Sequence, residues 1–355
     1  MDYRTSLGWG SYRVSYFPYC FPYTLETIMK LSEEQKKKLR LRFVKDYSLP
    51  INIFDGKLFD YYRKLYDFFP DKVYKALLKT IEEKYDGNVD KWLEYCASFR
   101  DRAIEETMNT PEYKEFNQKD LSEYNVKLGI GERSCYNQET SGKIFISIDL
   151  KKANFQALKY VGVIKDATYE DFVERFVGDD EYLKNSKYLR QVIFGKMNPG
   201  RIIKVEGYIM SKIYGLVHQY LVDRDFSTYS LNSDELVYIY MPNDKSPDFG
   251  LANADYLVSE IKKKIGVDVR VELVGVHDLR IVNYKGNKVD AYTRKNLLTG
   301  EVQLKKASTT FFPQIYKLWQ WKKIEKNDLM FFFEDQVCTF INPLHIQGID
   351  GDYFD

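Results

Sequence analysis

The hydrophobic positions of this chain change their period about a third of the way along. From residue 24 to 118 they recur at helical spacing. Leu25, Ile28, Met29 and Leu31 open one amphipathic stretch, and Leu58, Tyr61, Tyr62, Leu65 and Phe68 form another after the break at Pro50. Val73, Leu77, Leu78 and Ile81 follow Pro70 and end near Gly87, and Trp92, Leu93, Cys96, Phe99 and Ile104 mark a helix over 90–108. Beyond about residue 125, Ile144, Ile146 and Ile148 alternate with Phe145, Ser147 and Asp149, the period of a strand. A helix follows, with Ala153, Ala157, Leu158 and Val161 inward. Residues 168–222 read as mostly helical, interrupted at Asn198-Pro199-Gly200. A hairpin of 226–231 against 236–241 comes next, then a helix burying Ala254, Leu257, Val258, Ile261 and Ile265. Val267, Val269, Val271 and Leu273 give a further strand. Turn signals at Lys285-Gly286-Asn287 and Thr299-Gly300 predict a short meander over 283–306.

This order predicts an α+β fold: a helical N-terminal region (1–125), then an antiparallel sheet in a split βαββαβ, ferredoxin-like arrangement (126–310). The sheet region carries a helical insertion at 165–225. An aromatic and basic segment, 311–355, closes the chain with an acidic tail. Right-handed crossovers place the first strand beside the hairpin, with helices on the back of the sheet.

Two acidic sites sit within that strand pattern: Asp149 at the end of the Ile146–Leu150 run, and Asp234-Glu235 at the tip of the hairpin. A carboxylate at the end of a buried strand is costly to desolvate and calls for a partner, of which a divalent cation is the strongest. Two such sites on neighbouring strands are what a two-metal phosphoryl-transfer centre needs. The plainer alternatives are that Asp149 caps the helix after it and that Asp234-Glu235 is a polar turn.

The string Asp149-Leu150-Lys151-Lys152-Ala153-Asn154-Phe155 resembles motif A of palm-domain nucleic-acid polymerases, especially reverse transcriptases. Ser233-Asp234-Glu235-Leu236-Val237 resembles their motif C, with the Asp-Glu form found in family A DNA polymerases. The resemblance covers roughly 140–280, and its spacing is closer to the reverse-transcriptase layout. The Tyr-x-Asp-Asp box and the Leu-Pro-Gln-Gly motif are absent, so the resemblance is to the superfamily. It implies a palm-like sheet, a fingers-like insertion and two Mg2+ or Mn2+ ions. Asp149, Asp234 and Glu235 are then the catalytic metal ligands, helped by the main-chain carbonyl of Leu150. It also implies that Asn154 or, one register on, Phe155 lies under the nucleotide sugar. The alternative for Phe155 is a core position.

Between the two motifs, Lys184 to His218 holds Lys184, Lys187, Arg190, Lys196, Arg201, Lys204 and Lys212 against Glu206 alone. In polymerase fingers such cations grip the incoming triphosphate, which makes Lys187, Arg190, Lys196, Arg201 and Lys204 the candidates. A solvated helical face is the competing account.

Composition adds limits. With a formal net charge of +1, nucleic-acid binding would need charge segregated on one face. Four scattered cysteines without a Cys-x-x-Cys pair predict reduced thiols rather than a zinc site or disulfide scaffold. The three histidines suggest neither a metal site nor a triad. No apolar run spans a bilayer and no secretory leader is evident, so the expected location is the cytoplasm, that of a host cell for a virus- or phage-encoded protein. Gly8-x-Gly10-Ser11 lacks a following Asp-x-Asp and reads as a flexible N-terminal turn.

The expected function is a polymerase or primer-extending nucleotidyltransferase acting on nucleic acid and nucleoside triphosphates. One alternative is a non-catalytic nucleic-acid-binding or viral or phage assembly protein, using the basic stretches 36–45 and 184–212. Another is a nucleotide cyclase-like phosphotransferase.

Overall fold

The computed structural model describes residues 31–242 and 246–349. The Gly8–Ser11 turn, Leu25, Ile28, Met29 and the acidic tail lie outside them. Among the described residues, five α-helices come first: α1 (Glu33–Tyr47), α2 (Gly56–Leu65), α3 (Asp71–Tyr85), α4 (Val89–Asn109) and α5 (Pro111–Gln118). Their inward faces carry the periodic residues, with Leu77, Leu78 and Ile81 buried on α3, and Trp92, Cys96 and Phe99 on α4. The basic run on α1 is largely spent inside the protein. Lys36 pairs with Glu33, and Lys38 with Glu34 and Asp90. Arg40 donates to the Phe54 carbonyl, and Arg42 to both oxygens of Asp46.

The sheet region begins with β1 (Ile144–Leu150) and α6 (Ala153–Tyr160). The insertion follows as α7 (Tyr169–Val177), α8 (Glu181–Asn185), α9 (Lys187–Gly195) and α10 (Pro199–Val222). Then come β2 (Phe226–Leu231), β3 (Glu235–Tyr240), α11 (Leu251–Ile265), β4 (Val269–Asp278), β5 (Ile281–Val282), β6 (Tyr292–Asn296) and β7 (Val302–Lys305). Six strands form one sheet in the order β2-β3-β1-β4-β6-β7, every pairing antiparallel. The first four follow the predicted order of strand, helix, hairpin, helix, strand. The expected meander becomes β6 and β7, added beside β4.

Alternation along the strands separates two faces. Ile146, Ile148, Leu150, Leu236, Tyr238, Val271 and Leu273 join the helices in the main core. The opposite, front face holds a small apolar cluster of Phe145, Val237, Val274, Val276 and Tyr292, against which Cys135, Tyr136 and Tyr229 pack. Towards the Asp149 end that face becomes polar.

The main core runs without interruption from Leu31 to Tyr316. Helix α9 packs on α1 and α4, and α7 on α4, so the insertion and the N-terminal helices form one helical layer. At their junction Asp46, 1 % exposed, accepts from Arg42, Tyr182 (2.7 Å) and Ser186 (2.5 Å). Near the C-terminus, α12 (Phe312–Trp319) precedes β8 (Met330–Phe333), β9 (Gln336–Thr339) and β10 (His345–Ile346), which pairs with β5. A second core joins Ile281 and Ala291 to Ile315, Leu318, Ile324, Leu329, Leu344 and Ile346. Packing therefore crosses both boundaries expected from the sequence, at 125 and at 310. The described cysteines, Cys96, Cys135 and Cys338, are unbridged. No described helix is long and apolar enough to cross a membrane.

Candidate functional site

The site is built by strand pairing. Asp149 lies inside β1, opposite Glu235 of β3 on one side and Arg270 of β4 on the other. The ladder continues past the strand end: the Leu150 N–H donates to the Asp234 carbonyl at 2.8 Å, and the Lys151 N–H to that of Asp268 at 2.9 Å. The chain then turns through Lys152, at φ 53°, which occupies the N-cap position of α6. Asp149 is thus not a helix cap. The hairpin tip is shaped by Asn232, whose Oδ1 accepts from the N–H groups of Asp234 (3.0 Å) and Glu235 (2.6 Å). The Asp234 carboxylate has no part in the turn, and it accepts no hydrogen bond and forms no ion pair among the described residues.

Around the acids the front face carries a chain of alternating charge. Arg270 Nη2 stands 3.1 Å from Asp149 Oδ2, and its Nε 3.1 Å from Glu272 Oε2. Glu272 also accepts from Arg294 (2.9 Å) and Asn296 (3.1 Å). Ser147, buried on β1, donates to Glu235 Oε1 at 2.5 Å. Burial pushes the Asp149 carboxyl up to about 6, and the charges of Glu235, Asp234 and Glu272 add to the rise against the pull of Arg270. Burial also pushes Glu272 up, but Arg294 and Arg270 outweigh it and hold the group below the ordinary carboxylate range. Lys305 is held below the usual ammonium value, by burial first and then by Arg294 and Arg270.

Behind this face lies a carboxylate that the strand pattern does not single out. Glu206 of α10 is 3 % exposed and accepts from Asn154 Nδ2 at 2.7 Å. Burial, followed by the nearby charge of Asp234, pushes it up to about 7, although the Asn154 bond works the other way. Its signal was visible as the lone acid in a basic helical stretch. Arg270 and Glu272 were also legible in principle, as the polar alternates to Val269, Val271 and Leu273.

The remaining candidates are scattered. Leu150 ends β1 with its side chain buried. Asn154 is committed to Glu206. Phe155, 1 % exposed, packs against Tyr169 and Phe172, so its ring is a core element and not a surface under a sugar. Arg190 lies over the Tyr169 ring (5.6 Å to the centroid), which also carries Lys152 (4.9 Å). Lys152, which also pairs with Glu170, thus stands with Arg190 beside the first turn after Asp149. Lys187 is exposed at the start of α9. Lys196 instead lines a cavity of about 820 Å³ with Arg100, Ile104 and Met108 of α4. Arg201 donates to the carbonyls of Phe116 and Lys119, tying α5 to α10, and Lys204 is exposed within electrostatic reach of Asp120. Lys184 pairs with Glu174 and Glu181, so part of the apparent charge excess is answered by acids just outside the stretch.

No group of three or more His, Cys, Asp or Glu side chains among the described residues stands ready to hold a metal ion. The donor chemistry of the strand-end acids still suits a hard divalent cation. Asp149 and Glu235 are adjacent carboxylates, and Asp234, next in the chain, is unpartnered among the described residues. Comparison with protein-family models, with curated proteins and with solved structures finds no match for this chain.

Proposed function

We propose that the chain is a palm-type nucleotidyltransferase that extends a nucleic-acid 3′-hydroxyl with nucleoside triphosphates. The observation that carries this reading is the register that sets Asp149 against Glu235, with the Asp234 carbonyl bonded to the next amide of β1. Asp149 and the consecutive Asp234 and Glu235, remote from it in sequence, meet at one end of an antiparallel sheet. Under this reading Asp149 and Asp234, with Glu235 and the Leu150 carbonyl, would hold Mg2+ or Mn2+. Two such ions would supply activation of the 3′-hydroxyl and charge neutralisation at the triphosphate. Arg190, on the Tyr169 ring at the mouth of α6, is the cation suited to the phosphates, while Lys152 on the same ring is paired with Glu170. Glu206 fixes the Asn154 amide, which makes Asn154, rather than Phe155, the residue able to meet a sugar hydroxyl. The N-terminal helices, fused to the insertion by packing, act as the rear wall of a fingers-like layer.

Incubation with primed template, Mg2+ or Mn2+ and labelled nucleotides tests this reading. Extension is expected from the wild type and none from Asp234→Ala. Because the Asp234 side chain makes no hydrogen bond or ion pair among the described residues, that variant should melt within about 0.5 kcal/mol of the wild type. Cyclic product formed without a primer would favour a cyclase-like phosphotransferase, and salt-sensitive oligonucleotide binding without incorporation a binding protein.

A further inference from the structure

We infer that Arg270 is a built-in counter-cation that occupies the metal-facing acid of the site and must release it before a divalent ion can bind. The inference rests on the reading of Asp149, Asp234 and Glu235 as metal ligands. Arg270 is the cross-strand partner of Asp149 in β4, and its guanidinium forks between two carboxylates, with Nη2 on Asp149 and Nε on Glu272. It takes up one carboxylate oxygen of Asp149, while Ser147 takes up one of Glu235. Both attachments engage carboxylate oxygens that a bound cation would need, in a place where the backbone brings three acids together.

The arrangement is reversible by design of its parts. If Nη2 leaves Asp149, Nε keeps its bond to Glu272, so the arginine is not stranded without countercharge. Glu272 is in turn secured by Arg294 and Asn296, which fixes the pivot. The Arg270 side chain is 52 % exposed, so its head has room to swing outwards. No proton or covalent bond changes hands. One cation replaces another on Asp149, and the freed guanidinium stays at the rim, where a phosphate oxygen is a natural acceptor.

Mn2+ binding to the full chain, without nucleotide and at constant pH and ionic strength, provides the test. Arg270→Gln removes the competitor and should tighten Mn2+ binding about two- to fivefold, the upper part of the range set by a partly exposed ion pair. Arg270→Lys keeps the charge but cannot fork between both carboxylates, and should fall between the two. It also decides the matter should the glutamine variant fold poorly. Asp234→Asn serves as the control for the acid site. Unchanged affinity in both arginine variants, with binding lost in Asp234→Asn, overturns the role of Arg270 and leaves the metal site standing. Mn2+ binding that ignores Asp234 in every background overturns the metal reading and this inference with it.

Discussion

At the scale of single residues, the raised carboxyls of Glu206 and Asp149 make a pH-dependent contribution to stability whose sign is opposite to that of ordinary salt-bridged acids. Glu206 binds its proton more tightly folded than unfolded. Stability therefore falls as the pH climbs from about 4.5 towards 7 and levels off above that, with roughly 3 kcal/mol at stake for so buried a group. Asp149 acts in the same direction, up to about 6. Glu206→Gln keeps an oxygen for the Asn154 amide and cannot ionise. Its urea midpoint should exceed that of the wild type at pH 8, and the gap should shrink at pH 5. A constant gap across that interval would show that Glu206 does not titrate as a buried acid. This residue also marks a limit of reading by charge. A lone acid in a basic stretch stands out in the sequence, but only packing reveals that it points at Asn154 and not at solvent.

At the scale of elements, the strands were the most legible part. Their alternation specified which residues face the helices, and the Asn232–Glu235 turn gave the hairpin to within a residue. The acids could be placed because register follows from alternation once the strand order is known. The insertion was less legible. Periodicity separates helical from non-helical stretches, but does not say which neighbour a helical face meets. Arg201 and Lys184 therefore read as free cations, although one binds backbone carbonyls and the other two glutamates. The junction between α1 and the insertion was invisible for the same reason, since Asp46 finds Tyr182 and Ser186 across well over a hundred residues. Asp46→Ala strands Arg42 in a buried setting and should cost about 3–5 kcal/mol in urea denaturation. Asp46→Asn, which retains hydrogen-bonding capacity, should cost less. Equal losses would mean that the charge of Asp46 contributes nothing there.

At the scale of the whole molecule, the sequence suggested three successive regions, and the cores ignore those divisions. One apolar cluster includes Leu39 and Phe43 of α1, Ile193 of α9, Ile148 of the sheet and Tyr316 of α12. Composition and spacing carry no mark of this fusion, because each region satisfies its own local pattern. A cut between residues 125 and 126 should therefore leave two pieces that do not unfold cooperatively when expressed apart. Differential scanning calorimetry of each would decide, and a sharp endotherm from either fragment would show that its part of the core is self-sufficient.

The single irregularity in the pairing of β2 with β3, between Thr228 and Ser230, lies on the outermost strand of that side. The inner pairings of β1 are unbroken over their length. A length change in β2 can thus be absorbed at the margin of the sheet. One extra residue within Ile144–Ile148 would instead carry Asp149 through the sheet to the side occupied by Leu158 and Ile209, trading a wet neighbourhood for a greasy one. Two extra residues would bring back the facing but not the alignment with Glu235. The alignment of Asp149 with Glu235 therefore tolerates variation in length only at the margin of the sheet, outside β3.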